Sequence, residues 1–180
     1  AVVVASDEHG GHGHPRQLLV DEFDHVVVDA VVVEEVAGDQ EQLMNALRQF
    51  KQTNVLRVAA ADLGGVIPVM VVSDYLTWIA ETLIDETLRQ AWRITVERHG
   101  VPPNARQDKP DGFGVIAYGK MGGLELGYAS DLDLVFLYDG DALTLTNGPK
   151  PITCAEFYGR IGKRIIHLLT TNTPTGVLYE

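Results

Sequence analysis

Apolar residues recur every three or four positions in three stretches of the chain, which predicts three helices. From about Asp39 a loosely continuous apolar face predicts the first helix, and Gly64 and Gly65 form its natural end. The second pattern is the clearest in the chain and runs for about 25 residues. Ser73 is a suitable N-cap for this second helix, and Gly100 marks its end.

The third helical pattern follows Thr153 and Glu156, which are spaced as in a capping box. Its apolar positions fall on one face, and its other face carries three basic residues: Arg160, Lys163 and Arg164. A basic face of this kind either contacts phosphate or is solvated, and the pattern leaves both interpretations open.

Three shorter stretches predict strands. Residues 113–118 form an apolar run rich in aromatic and β-branched side chains, which is typical of a buried strand, and Gly119 ends it. A second strand is predicted from about residue 130 to residue 138, and residues 176–180 predict the start of a third.

Residues 1–38 are the least informative part of the sequence. Valine clusters at 26–28 and 31–33 fit strands or a poor helix equally well. His9, His12 and His14 lie in a glycine-rich stretch that lacks the rigidity of a metal site, so we interpret it as a mobile tail.

Composition limits the classes of function. A chain of 180 residues suffices for one well-buried domain or two small ones, and its net charge of −11 argues against a nucleic-acid partner. Cys154 is the single cysteine, which rules out a disulfide within the chain. No apolar run reaches the ~18 residues of a membrane span, so we expect a cytoplasmic protein. The first residue is Ala1 rather than Met, which suggests a fragment or a processed chain.

The candidate chemistry is concentrated at the start of the second predicted strand. Asp131 and Asp133 are two positions apart, so in a strand they share a face with their carboxylates roughly 6 to 7 Å apart. This spacing suits Mg²⁺, which binds one or two carboxylates together with waters and substrate phosphates. The alternative is a solvated strand end with no ligand.

The residues between the two strands complete a candidate nucleotide site. Gly122 and Gly123 allow a sharp turn whose bare N–H groups can hold phosphate, and Lys120 can contact phosphate as a point charge. Ser130 is either a phosphate donor or a structural cap. Residues 114–120 have the glycine and lysine spacing of a P-loop, but Met121 stands where Ser or Thr must bind Mg²⁺, so we reject that interpretation.

The order of strand, glycine turn and Asp-x-Asp strand is that of the nucleotidyltransferase superfamily. The run YGKMGGLELGYASDLDLVFLYD at residues 118–139 closely resembles glutamine synthetase adenylyltransferase. The resemblance covers roughly residues 41–180, including LRVAAADL at 56–63, SDYLTWIAE at 73–81 and GVLYE at 176–180.

The resemblance implies an α+β fold with a polymerase-β-like mixed-sheet nucleotidyltransferase core preceded by long helices. We divide the chain into a poorly defined segment at 1–38, a helical region at 39–112 and the core at 113–180. The implied activity is Mg²⁺-dependent transfer of AMP from ATP to a tyrosine of glutamine synthetase, under control of a PII-type signalling protein. Asp131 and Asp133 would then be the catalytic metal ligands, with Lys120, Gly122, Gly123 and Ser130 binding nucleotide.

The sequence departs from the family pattern in one important respect. The family places a third catalytic carboxylate on the next strand, after a Leu-Tyr-Glu, and this chain stops at Glu180, so we expect an incomplete active site. The motif resembles the AMP-adding half of the family. Alternatives are the half that removes AMP by phosphorolysis and a catalytically silent nucleotide-binding regulatory domain.

Overall fold

The computed structural model describes residues 2–4, 40–103 and 105–179. The predictions for the three histidines and the valine clusters before residue 39 therefore lie outside the described residues. The elements, in chain order, are β1 (Val2–Val4), α1 (Gln40–Leu63), α2 (Val69–His99), β2 (Phe113–Tyr118), α3 (Gly119–Gly122), β3 (Asp133–Tyr138) and α4 (Cys154–Thr170).

The three predicted helices are confirmed as α1, α2 and α4. Helix α1 begins one residue after the predicted start and ends at the predicted glycine pair. Helix α2 has 31 residues and is about 46 Å long, because it begins at Val69 rather than at the predicted Ser73 cap. Its N-cap is Pro68, which has no backbone N–H and whose φ of −68° suits a helix entrance. Ser73 therefore lies inside the helix, where its carbonyl accepts a hydrogen bond from the Thr77 hydroxyl.

The described strands form one sheet in the order β1-β2-β3, and both pairings are antiparallel. The α+β class is confirmed, whereas the expected mixed sheet is not what the described strands form. Strand β1 was not predicted, because three valines far from their partners in the chain carry no local sign of pairing; Val2 lies opposite Ala117. In the second pairing Tyr118 lies opposite Asp133.

Residues 176–179 do not continue the sheet, so the predicted third strand is wrong. Thr173 and Gly176 instead exchange two backbone hydrogen bonds around a turn, in which Gly176 has a φ of +99°. The N–H of Tyr179 then donates to the carbonyl of Leu169 at the end of α4. This turn directs the segment back onto the helices instead of along the sheet.

Polar side chains of α1 hold the same segment. The Arg48 guanidinium donates to the Thr171 carbonyl at 2.5 Å, Lys51 donates to the Leu178 carbonyl, and Asn45 accepts from the Thr175 hydroxyl. Arg48 is 1% exposed, and its Nε and Nη1 atoms have no hydrogen-bond partner within the described part of the chain. Burial lowers the pKa of both Arg48 and Lys51. We call these contacts the α1 clasp.

Helix α4 packs between the sheet and α2. It begins at the predicted Thr153 cap, whose hydroxyl accepts from the Glu156 N–H. Phe157 of α4 meets the buried Trp92 of α2 edge to face, with ring centroids 5.3 Å apart. One hydrophobic cluster therefore contains side chains from both the predicted helical region and the predicted core. No helix in the described residues is long and apolar enough to span a membrane.

Candidate active site

Strand β2 positions the first part of the site. Phe113, Val115 and Ala117 are buried, and the intervening Gly114 and Ile116 are half-buried, as expected for a strand covered on one face. Residues 114–118 thus lie in regular strand where a P-loop would need an irregular phosphate-binding turn, which agrees with our rejection of that motif.

Strand β3 begins at Asp133, so the predicted start near residue 130 is wrong. The reason is a turn just before it: the Ser130 N–H donates to the Gly127 carbonyl, and the Ser130 hydroxyl accepts from the Gly127 N–H at 2.9 Å. Asp133 is the first strand residue, and Asp131 lies in the connection before it. Both carboxylates lie at the mouth of the strand. Because only Asp133 is part of β3, the alternation of side chains along a strand cannot be used to place Asp131 on the same face.

Gly119 is the residue most closely fitted to a predicted site residue. Its φ is +58°, a backbone conformation that residues other than glycine adopt only at a cost in free energy. A Cβ atom at this position would lie 2.1 Å from Asp133 Oδ2. The end of β2 therefore accommodates the Asp133 carboxylate directly against its backbone. The sequence analysis treated Gly119 only as a strand end, because its contact with Asp133 depends on the pairing of β2 with β3, in which the preceding residue, Tyr118, lies opposite Asp133.

The predicted phosphate-binding glycines form a tight turn. Gly119 to Gly122 make the single turn of α3, and the Gly123 N–H donates to the Gly119 carbonyl at 3.0 Å. The Gly123 N–H is therefore already engaged inside the turn. Lys120 is exposed beside it, and its carbonyl accepts from the Glu125 N–H at 2.7 Å.

The connection after the glycines is anchored to α1. Leu124 has a φ of +58°, which is uncommon for a leucine, and Tyr128 donates its hydroxyl proton to Asp62 Oδ2 at 2.9 Å. Partial burial, together with the hydrogen bond to Asp62, raises the pKa of the Tyr128 phenol. Sequence reasoning missed Tyr128, because its partner lies 66 residues earlier in the chain.

The carboxylates of the two site aspartates have no partner in the described part of the chain. Both are exposed, and neither carboxylate has a hydrogen bond or an ion pair with any other described residue. No group of three or more His, Cys, Asp or Glu side chains among the described residues could hold a metal ion. Two exposed, unpaired carboxylates nevertheless fit Mg²⁺, which retains waters and takes its remaining ligands from substrate phosphates.

Comparison with known proteins places these residues in a family context. A sequence profile of the family "Glutamate-ammonia ligase adenylyltransferase" matches residues 19–180. This range contains α1 to α4, β2 and β3.

Three similar relatives are each named "Bifunctional glutamine synthetase adenylyltransferase/adenylyl-removing enzyme". The chain is 59% identical over 145 residues to the protein of Methylococcus capsulatus, 57% over 143 to that of Pseudomonas putida and 55% over 144 to that of Pseudomonas syringae pv. tomato. Each match covers 79% of this chain. The matched region spans only about 15% of the length of the relatives from M. capsulatus and P. putida, and 14% of the third.

Proposed function

This chain belongs to the glutamate-ammonia ligase adenylyltransferase family, and on that premise we propose that it is part of an enzyme domain that transfers AMP from ATP to a tyrosine of glutamine synthetase. The observation that carries the proposal is the close approach of the Asp133 carboxylate to the Gly119 backbone, beside a second exposed carboxylate just before β3. A PII-type signalling protein is the proposed regulatory partner, on the strength of the family resemblance alone.

In this proposal Asp131 and Asp133 hold Mg²⁺, which neutralises negative charge on the triphosphate. The turn of Gly122 and Gly123 brings the backbone close to the phosphates without a side chain in between, and the exposed Lys120 adds a positive charge beside them. The Tyr128–Asp62 hydrogen bond restrains the connection that leads to the carboxylates. The Ser130 hydroxyl accepts from the Gly127 N–H in the turn, and its own proton can still be donated to a phosphate oxygen.

The first test is calorimetric titration of ATP into this chain with and without Mg²⁺. We expect binding that requires Mg²⁺ and that weakens at least about tenfold in a chain carrying Asp131→Asn and Asp133→Asn, because each change removes an anionic metal ligand. Asp108→Asn is the control, since it removes one negative charge from an exposed loop position outside the site. Equal Mg²⁺-dependent affinity in the double variant and the control would show that the site is wrongly assigned.

The relatives' printed name favours one second candidate, removal of AMP from modified glutamine synthetase. Incubating the full-length protein with adenylylated glutamine synthetase and phosphate, and measuring released ADP, tests it. Loss of ADP release in the aspartate variant, with AMP addition from ATP unchanged, would assign this site to the removing reaction. Mg²⁺-dependent ATP binding without either covalent reaction would indicate a regulatory nucleotide site.

A further inference from the structure

A cleft of about 420 Å³ opens between Gln40 at the start of α1, the C-terminal part of α2 and the outer side of α4. Ile94 and Thr95 contribute to its walls. Its volume lies in the range of small-molecule sites in proteins. We define the basic cleft by its six basic side chains: Arg98, His99, Arg160, Lys163, Arg164 and His167.

The described residues leave three of the cationic side chains in the basic cleft without a partner. Among the described residues, Arg98, Lys163 and Arg164 have neither a hydrogen bond nor an ion pair from their side chains. Arg160 is the exception, since it contacts Glu156 Oε1 at 2.6 Å. No acidic residue lines the cleft within the described part of the chain. Like charges this close together repel one another, and a bound anion would relieve that repulsion.

The basic cleft lies on the opposite side of α4 from the sheet. A Cβ atom on Gly162 would lie 3.4 Å from the ring of Phe136 in β3, so this position of the helix faces the sheet. Arg164 follows two residues later, which is about 200° around the helix axis, so it faces away from the sheet. The cleft is therefore a site distinct from the carboxylates at the mouth of β3.

Backbone contacts fix the end of α2 that forms one wall of the cleft. His99 is buried, and its Nδ1 pairs with the Lys150 carbonyl at 2.7 Å. Gly148 packs so closely on the end of α2 that a Cβ atom there would lie 2.1 Å from the Gly100 nitrogen. The wall that carries Arg98 and His99 is thus held in place without a ligand.

We propose that the basic cleft binds a small metabolite that carries phosphate groups with at least two negative charges. Arginine guanidinium groups bind phosphate oxygens through pairs of charge-assisted hydrogen bonds, and lysine adds a mobile point charge. The limited volume of the cleft and the acidic net charge of the chain favour a small anion over an extended polyanion. This inference does not depend on the proposed adenylyl transfer.

The test is calorimetric titration of inorganic pyrophosphate into this chain in the presence of a chelator, so that no metal is available to the carboxylates. We expect saturable binding that weakens at least about tenfold when Lys163→Gln and Arg164→Gln are combined, because two charged contacts are lost. The control combines Arg57→Gln with Lys109→Gln, which changes the net charge equally at positions outside the cleft. The Asp131→Asn, Asp133→Asn double variant should bind pyrophosphate as the unaltered chain does.

Two further titrations, with citrate and with orthophosphate, test which class of anion the cleft binds. Citrate should bind more weakly than pyrophosphate, and orthophosphate should bind more weakly still. No pyrophosphate binding at millimolar concentration, equal weakening by the control pair, or tighter binding of citrate than of pyrophosphate would each overturn the proposal. Thermal unfolding of each variant checks that the substitutions leave the fold intact.

Discussion

The carboxylates at the mouth of β3 and the basic cleft beside α4 both carry charges without a partner among the described residues, yet they are positioned by different means. The carboxylates belong to one continuous stretch from Gly119 to Asp133, in which a glycine conformation and a turn fix them. The basic cleft combines side chains from two helices more than fifty residues apart in sequence. The carboxylate site is therefore sensitive to local backbone conformation. The basic cleft is sensitive to how α2 and α4 are held together.

The largest effect on stability is expected from a substitution where the end of α2 meets the loop before α4. Gly148→Ala places a methyl group against the backbone of His99 and Gly100, and we expect it to lower the free energy of unfolding by about 3 kcal/mol. Urea unfolding measures this. Gly159→Ala is the control: no atom lies within 4 Å of a Cβ atom there, so alanine in this exposed helical position should stabilise by about 0.8 kcal/mol. A loss below about 1 kcal/mol for Gly148→Ala would contradict this account of the cleft wall.

Gly119→Ala should damage the carboxylate site selectively. It forces a side chain into a positive-φ conformation and into contact with the Asp133 carboxylate, so we expect Mg²⁺-dependent ATP affinity to fall at least about tenfold with pyrophosphate binding unchanged. Gly65→Ala is a matched control, because Gly65 has a φ of +66° with nothing within 4 Å of the added atom. Both variants should lose about 1 to 2 kcal/mol of stability. If ATP affinity changed equally in both, the contact with Asp133 would be irrelevant to binding.

The smallest effect is expected from Tyr128→Phe. Removing the phenol hydroxyl deletes the hydrogen bond to Asp62, which should cost about 0.5 to 1 kcal/mol of stability and weaken Mg²⁺-dependent ATP binding a few-fold. Tyr138→Phe, at the opposite end of β3, is the control and should leave ATP affinity unchanged. Calorimetry on both variants, with pyrophosphate as a second ligand, separates the two sites. Weaker pyrophosphate binding in Tyr128→Phe would argue against their independence.

Elements with a local signature could be predicted from the sequence. The periodicity of α2 and α4, the Thr153 cap and the buried run of β2 each depend on residues close in the chain. The start of α2 was misplaced because Ser73 is a good cap by residue type, while Pro68 supplies the entrance through its restricted backbone.

The parts that could not be predicted depend on contacts between distant residues. The pairing of Val2 with Ala117, the contact of Gly119 with Asp133 and the bond of Tyr128 to Asp62 all require the tertiary fold. The candidate carboxylates could be recognised because the motif is continuous in sequence. The basic face of α4 was visible as a pattern, but its role in a cleft depends on α2 packing beside it.

The α1 clasp has a consequence for the order in which the protein folds. Its hydrogen bonds join residues 123 to 130 positions apart, so they form only after a very long loop has closed. Helices α1 and α2 rest on local contacts and form early by comparison. Until the clasp closes, water solvates the Arg48 guanidinium, and closure must overcome the loss of that hydration. We therefore expect the clasp to form after α1 and α2 during folding.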